Sequence, residues 1–408
     1  MADQQTLVSS NRLPQTSRWW LTPLIKTFNQ TCYGNLHLKI GEQHFNFHGS
    51  KTGPSANIEV QSPLKFLWHL FWRGDIGFAE SYINNHWQTT DLGKLLTFFA
   101  LNESYYQALG KKINIIKWLY SLQHLSNKNT VKGSKRNIAT HYDISNTFYQ
   151  HWLDKSMTYS SALYGEGVSQ YELTLAEAQQ QKYQRLLDNL SPHPGAHILE
   201  IGCGWGGFAE QAARLGLQVT GITLSKEQLQ YAKQRLKNAR LSDFTAFHYC
   251  DYRALSGQYD HIVSIEMLEA VGREWWPTYF QKLKHCLRPG GRAIIQVITI
   301  DEAVFSHYEQ NPDFIQLYIF PGGVLPTLTH LKQLAKAHQF TINDCFLFGQ
   351  DYAKTLRCWA DNFHQHKDTL HAMGYDERFQ RTWQYYLHYC EAGFNINKIN
   401  VVQLTLSH

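Results

Sequence analysis

The chain has 408 residues, with 38 Lys and Arg against 33 Asp and Glu for a net charge of +5, and its 12 Trp, 23 Tyr and 22 Phe make 14% of it aromatic. That length exceeds one core of roughly 100–150 residues and predicts two globular domains, while the apolar content excludes general disorder. The seven Cys are odd in number, scattered and never paired as C-x-x-C, which argues against a disulfide framework or a zinc site and fits a reducing cytoplasm.

The 21 His form no H-E-x-x-H pattern, so no metal site is expected. The first residues, MADQQTLVSSNRLPQ, lack the basic start and apolar run of a secretory signal. Phe314–Leu331 is uncharged, but Pro321, Gly322, Gly323 and Pro326 interrupt it, so no bilayer crossing is expected. Residues 1–125 hold Trp/Phe-rich segments such as Phe66–Trp72 and a helical pattern over Asp91–Phe99, without a catalytic motif. They read as a small core-building domain. Ser104 to Tyr142 then carries seven basic residues (Lys111, Lys112, Lys117, Lys128, Lys132, Lys135 and Arg136) and no acidic one. Helical spacing would place Ile113, Ile116 and Tyr120 on one face with lysines beside it. Such a stretch suits phospholipid or nucleic acid, and serves equally as a solvated linker.

After Ser191-Pro192-His193-Pro194-Gly195 short apolar runs alternate with helical stretches. Strands are expected at His197–Ile201, Gln218–Ile222, Phe244–Tyr249, His261–Ile265, Arg292–Ile298, Phe340–Phe348 and Val401–Leu406, with helices over Asp351–His366 and Arg378–Gly393. The first five strands with their intervening helices predict a parallel sheet covered on both faces.

Gly202-Cys203-Gly204-Trp205-Gly206-Gly207 follows the first of these strands and opens a helix, in the context of a G-x-G-x-x-G turn. A dinucleotide site needs an acid about 20 residues further on. That place reads Gly221-Ile222-Thr223-Leu224-Ser225, without one. The acids stand instead at Glu200, inside the strand, and Asp251, after the third strand; they can meet the cationic amino-acid end and the adenine side of S-adenosylmethionine. Glu200 would repel a diphosphate and tolerate a sulfonium ligand. A methyltransferase is therefore expected over a nicotinamide enzyme. Ser225-Lys226-Glu227-Gln228 also satisfies an S-x-x-Q capping box, a structural use for Ser225 and Gln228.

Six blocks in chain order resemble the cyclopropane-fatty-acyl-phospholipid synthase family: His141–Asn146, Ser156–Ala162, Leu199–Gly207, Gly221–Ser225, Ser264–Gly272 and Tyr318–Gly323. The resemblance runs from about residue 137 to the C-terminus, and the N-terminal segment is similar to that family's small accessory domain. It implies an α/β class I methyltransferase fold, a Rossmann-like seven-stranded, mostly parallel sheet over residues 126–408, behind an N-terminal accessory, lipid-contacting domain over 1–125. It further implies S-adenosylmethionine as cofactor and methyl transfer to the double bond of unsaturated phospholipid acyl chains, forming cyclopropane fatty acids. The enzyme would be cytoplasmic, peripheral on the inner face of the membrane, a homodimer and without a nucleic-acid partner. Carried over, Tyr159, Ser160, Gly202, Gly204, Thr223, Leu224, Gln228, Asp251, Tyr252 and Ile265 would line the cofactor together with Glu200. Phe305–Pro326 would cover the acyl chain.

An isolated alkene is a weak nucleophile, so the reaction needs a dry channel holding it against the sulfonium methyl, with ring faces to stabilise the resulting carbocation. The family's proton acceptor is a bicarbonate ion held by a Glu, a Cys, a His and a Tyr. Here Glu269 is kept, while Ser161, Gln296 and Ala360 occupy the other three positions. Either Ser161, Gln296 and Glu269 still hold bicarbonate, or Glu269 takes the proton itself, its pKa raised by burial. The second route can end at a methylene or methyl branch instead of a ring. Cys390 occupies a further position proposed as active in the family, although a helical Cys among aromatics also suits a core. The rivals are a methyltransferase for another acceptor such as RNA, and a lipid- or cofactor-binding protein without chemistry.

Overall fold

A computed structural model describes residues 21–106, 144–165 and 173–408, and the chain divides into two units, Met1–Ile113 and Asn114–His408. The expected boundary at residue 125 and the basic stretch beyond Lys111 lie outside the described residues.

In the N-terminal unit, period-two alternation builds a sheet that the aromatic content had masked. Strand β1 (Tyr33–Ile40) buries Leu36, Leu38 and Ile40, and β2 (Gln43–His48) buries Phe45 and Phe47. They form a hairpin; β3 (Lys51–Val60) lies parallel to β1, and β4 (Trp87–Gln88) closes the order β2-β1-β3-β4. Helix α1 (Thr22–Phe28) precedes the sheet. Helix α2 (Pro63–Ile83) breaks at Gly74, whose φ of 54° is left-handed. The expected Asp91–Phe99 helix is α3, extended to Leu92–Tyr106. Fully buried Asn102 ties it to β1: its Oδ1 accepts from the Cys32 and Tyr33 amides, and its Nδ2 donates to the Tyr33 and Phe98 carbonyls.

The second unit starts with α4 (Asn146–Gln150) and α5 (Leu175–Leu190). Then come β5 (His197–Ile201), α6 (Gly207–Arg214), β6 (Gln218–Thr223), α7 (Lys226–Asn238), β7 (Thr245–Tyr249), β8 (Tyr259–Ile265), α8 (Trp276–Cys286) and β9 (Leu287–Ile300). After them follow α9 (Glu302–Gln310), α10 (Phe314–Tyr318), α11 (Leu328–Ala337), β10 (Thr341–Leu347), α12 (Gly349–Gln365), α13 (Lys367–Ala372), α14 (Glu377–Asn395) and β11 (Ile399–Ser407). Seven strands lie in the order β10-β11-β9-β8-β5-β6-β7. β5 to β9 are mutually parallel, and β11 runs antiparallel to both β9 and β10. Continuous apolar runs such as Ile198-Leu199 with Ile201 are buried on both faces. One face packs Leu186, Phe208 and Leu236 of α5, α6 and α7; the other packs Phe280, Leu283 and Leu331 of α8 and α11. The chain passes from β5 to β6 on one side and later returns to β8 on the other. This reversal opens a crevice at the carboxyl ends of β5 and β8, where α/β sheets bind ligands.

β9 begins earlier than expected, because Arg288-Pro289-Gly290-Gly291 enters the strand as an irregularity between the Tyr259–Leu287 and His261–Arg292 pairs.

Candidate active site

The glycine turn leaves β5 with Gly202, Gly204 and Gly206 at φ of 83°, 50° and 81°. A Cβ on Gly204 would meet nothing within 4 Å, so the turn borders open space. Beside it Glu200 is 3% exposed, and its Oε2 is buried with no hydrogen-bond partner. Burial raises its carboxyl well above the ordinary value, against the opposing pull of Lys182 and Arg235. A buried carboxylate oxygen lacking a donor, next to open backbone, fits a ligand that brings its own cationic N–H donors, as the amino-acid end of S-adenosylmethionine does.

The other expected cofactor residues converge here. Thr223 ends β6, and its hydroxyl donates to Gln228 Oε1 at 3.0 Å; half-buried Leu224 follows it. The capping box is only half formed, since Ser225 Oγ accepts from the Gln228 amide but the Gln228 side chain turns to Thr223. Ile265 ends β8. Asp251 and Tyr252 follow β7, where the Asp251 carboxylate accepts from the Arg253 amide, Nε and Nη2 at 2.7–2.9 Å. Tyr159 and Ser160 arrive from the segment after α4. Tyr159 packs on Tyr149, Trp152 and Trp359, with ring centroids 5.6, 5.5 and 5.3 Å away, and shares a 2.6 Å hydrogen bond with the Tyr386 hydroxyl. Ser160 Oγ accepts from the fully buried Lys182 at 2.7 Å. Burial lowers that ammonium to about 7, against the opposing pull of Glu266, Asp154 and Glu200.

Two carboxylates occupy the loop after β8. Glu266 adopts a left-handed φ of 49°, a strained conformation for a residue with a side chain. Its Oε1 accepts from the Ser161 amide at 2.8 Å and Gln296 Nε2 at 2.7 Å, and its Oε2 from the Tyr352 hydroxyl at 2.6 Å. Burial raises its carboxyl while these three donors and Lys182 pull it down. Glu269 accepts from the Ile298 amide through Oε1, but its Oε2 is buried without a partner. Burial, then the charge of Glu266, pushes its pKa up to about 8.

Sequence reasoning assigned no role to Glu266 or Tyr352. Their only signal was a second acid in the Ser264–Gly272 block and a Tyr two helical turns before Ala360. Ser161 and Gln296, expected as donors to bicarbonate, turn their side chains to other partners, and Ala360, from which no donor was expected, supplies none. The Ser161 hydroxyl donates to the Ala162 carbonyl, so only its amide reaches the site. Gln296 donates to Glu266 and accepts from Gln403 at 2.9 Å, which engages both ends of its carboxamide. Ala360 is 1% exposed and carries no donor. With those donors absent or turned elsewhere, and two carboxylates that would repel another anion, these residues do not fit bicarbonate. Cys390 lies on α14, where burial and then the charge of Asp313 push its thiol up, which disfavours the thiolate. The Phe305–Pro326 segment is fastened to the carboxylate loop: the Val324 amide donates to the Glu269 carbonyl at 3.0 Å, and the Phe320 ring lies 6.0 Å from Tyr386.

A seven-stranded sheet in this order, with the glycine turn and the orphaned carboxylate at its switch point, defines a class I S-adenosylmethionine-dependent methyltransferase. The profile of the family described as mycolic acid cyclopropane synthetase matches residues 129–404, and the chain belongs to that family. It is 39% identical over 370 residues to tuberculostearic acid methyltransferase UfaA1 of Mycobacterium tuberculosis, covering 88% of this chain and 86% of that one. It is 32% identical over 358 residues to cyclopropane-fatty-acyl-phospholipid synthase of Escherichia coli, covering 86% and 88%. The solved structure of mycolic acid cyclopropane synthase CmaA1, complexed with SAH and CTAB, superposes with a TM-score of 0.62 at 30% identity, over 67% of this chain and 98% of that one.

Proposed function

We propose that the enzyme methylates the double bond of an unsaturated phospholipid acyl chain at a membrane surface and leaves the added carbon as a branch. S-Adenosylmethionine supplies an electrophilic methyl group when bound, and Glu200 with the Gly202–Gly206 turn would hold it. The electron pair of the double bond would form the new C–C bond as the methyl–sulfur bond breaks with its electrons staying on sulfur, leaving a cation on the neighbouring carbon. Tyr159, Trp359, Phe320 and Tyr386 exclude water and offer ring faces to that cation. Glu266, fixed by three donors, adds a stationary negative charge. After a hydride shift brings the cation to the branched carbon, Glu269 takes a proton from the new methyl group and a methylene branch remains.

The observation that carries this reading is the Glu266–Glu269 pair standing where the family resemblance implies a bicarbonate site: the base belongs to the protein. The relative named as a tuberculostearic acid methyltransferase supports methyl transfer that ends at a branch. The relative named for cyclopropane formation supports ring closure as the second reading. Among the described residues no helix is long and apolar enough to cross a membrane. Contact from the surface is supported by Leu64, Trp68 and Phe71 of α2, which are 74%, 63% and 60% exposed.

Proton NMR and mass analysis of lipids from enzyme incubated with S-adenosylmethionine and unsaturated phospholipid vesicles test the proposal. Terminal-alkene protons are the expected signal. Cyclopropane protons would overturn the branch but keep methyl transfer to the alkene; methyl incorporation into RNA, with none into lipid, would overturn the substrate.

A further inference from the structure

Gln403 on β11 is 0% exposed, and its register partner Gln296 on β9 is 1% exposed. Buried carboxamides are unfavourable unless both ends are bonded. These two belong to one chain of hydrogen bonds. Arg185 Nη1 donates to Gln403 Oε1 at 2.7 Å, Gln403 Nε2 to Gln296 Oε1 at 2.9 Å, and Gln296 Nε2 to Glu266 Oε1 at 2.7 Å. Its direction is set from both ends, because a guanidinium only donates and a carboxylate only accepts. Each carboxamide between them must turn its oxygen toward Arg185 and its nitrogen toward Glu266. Arg185 is itself anchored: Nη2 donates to Asp344 Oδ2 at 2.6 Å, and the guanidinium lies 4.0 Å over the Phe346 ring.

We propose that Arg185 and Gln403 are positioning residues that act through Gln296 to keep Glu266 ionised and aimed beside Glu269. The inference rests on the reading that the Glu266–Glu269 pair serves the proton transfer. Glu266 also faces the Tyr352 hydroxyl from α12, the Ser161 amide, the Lys182 ammonium from α5 and Glu269 from its own loop. The working state has both carboxylates ionised. Removing the groups that fix the orientation of Gln296 weakens its donation to Glu266 and therefore raises the pH at which that state is reached.

Gln403→Met preserves volume and removes both of its hydrogen bonds. Arg185→Met, outside the sheet, removes the end that sets the direction and decides the question should the first variant not fold. Both are assayed as the full chain on unsaturated phospholipid vesicles. The acid limb of kcat is expected to move up by about 0.5–1 pH unit, as the Gln296 bond to Glu266 is weakened and not lost. Near pH 9 kcat should return to within about twofold of the parent, with S-adenosylmethionine affinity unchanged. An unmoved limb, or the same fractional loss at every pH, overturns the proposal. Glu269→Gln in parallel separates it from the reading beneath it: a variant that keeps both rate and limb would overturn the carboxylate base, whereas an inactive Glu269→Gln beside an unaltered Gln403→Met overturns only the positioning chain.

Discussion

Glu269 has one oxygen on the Ile298 amide, another with no partner, and a pKa near 8 produced by burial and by Glu266. A group titrating close to working pH is suited to general-base catalysis, and its removal typically costs about 10²–10⁴ in rate. Glu269→Gln is expected to lose that much kcat in a methyl-incorporation assay. The same substitution has a stability consequence of definite sign. The folded acid holds its proton above the unfolded value, so the parent loses stability as pH rises from the ordinary carboxylate range to about 8. Glu269→Gln should therefore melt higher than the parent at pH 8.5, by roughly 2–4 °C for each kcal/mol recovered, with the gap closing toward pH 5. Calorimetry across that range checks it; a gap that widens on acidification would be wrong in sign. Glu269 was legible because it falls in a block shared with a known family. Glu266 acquires its meaning only when Ser161, Gln296 and Tyr352 meet it, and no local pattern joins positions so far apart in the chain.

At the scale of elements, the glycine turn and β6 separate function from folding. Gly204 borders open space, so Gly204→Ala meets no neighbour; its positive φ costs about 1 kcal/mol with a side chain. A Cβ on Gly221 would lie 2.6 Å from the Phe247 ring and 2.9 Å from the Cys203 Cβ. Gly204→Ala is expected to weaken S-adenosylmethionine binding tenfold or more by calorimetric titration, at the cost of only a few degrees in Tm, roughly that 1 kcal/mol. Gly221→Ala should lower stability by roughly 1–3 kcal/mol through overpacking. The reverse ranking would move the open space away from Gly204. Strands β5 to β8 and β11 were legible to within two residues at each end, because short apolar runs between turn residues and helical stretches mark them, whether parallel as β5 and β8 or antiparallel as β11. β1 and β2 were missed: His37, His44, Asn46 and His48 alternate with their apolar positions, and the Trp and Phe of α2 and α3 dominate composition there. α12 and α14 were anticipated because their apolar residues recur at helical spacing.

At the scale of the whole molecule, the phospholipid substrate proposed above would require an enzyme that meets a membrane surface with what it leaves exposed. On the outward face of the first half of α2, Leu64, Trp68, Phe71 and Trp72 are 74%, 63%, 60% and 38% exposed, and the Trp68 and Trp72 rings lie 5.2 Å apart. Rings of this kind are favoured at the headgroup boundary, and the basic residues between 104 and 142 would add attraction to anionic lipid. The two contributions differ in their response to salt, since salt screens charge attraction beyond a Debye length of about 8 Å at physiological ionic strength and leaves apolar transfer intact. Trp68→Ser with Phe71→Ser is expected to weaken sedimentation with neutral phosphatidylcholine vesicles by roughly tenfold or more, at low and high salt alike, each buried ring contributing about 1.5–3 kcal/mol. Adding anionic lipid should restore part of the binding at low salt and lose it at high salt. Equal vesicle binding by parent and variant in every condition would mean that α2 does not enter the lipid surface, and the membrane contact would then have to be sought elsewhere in the chain.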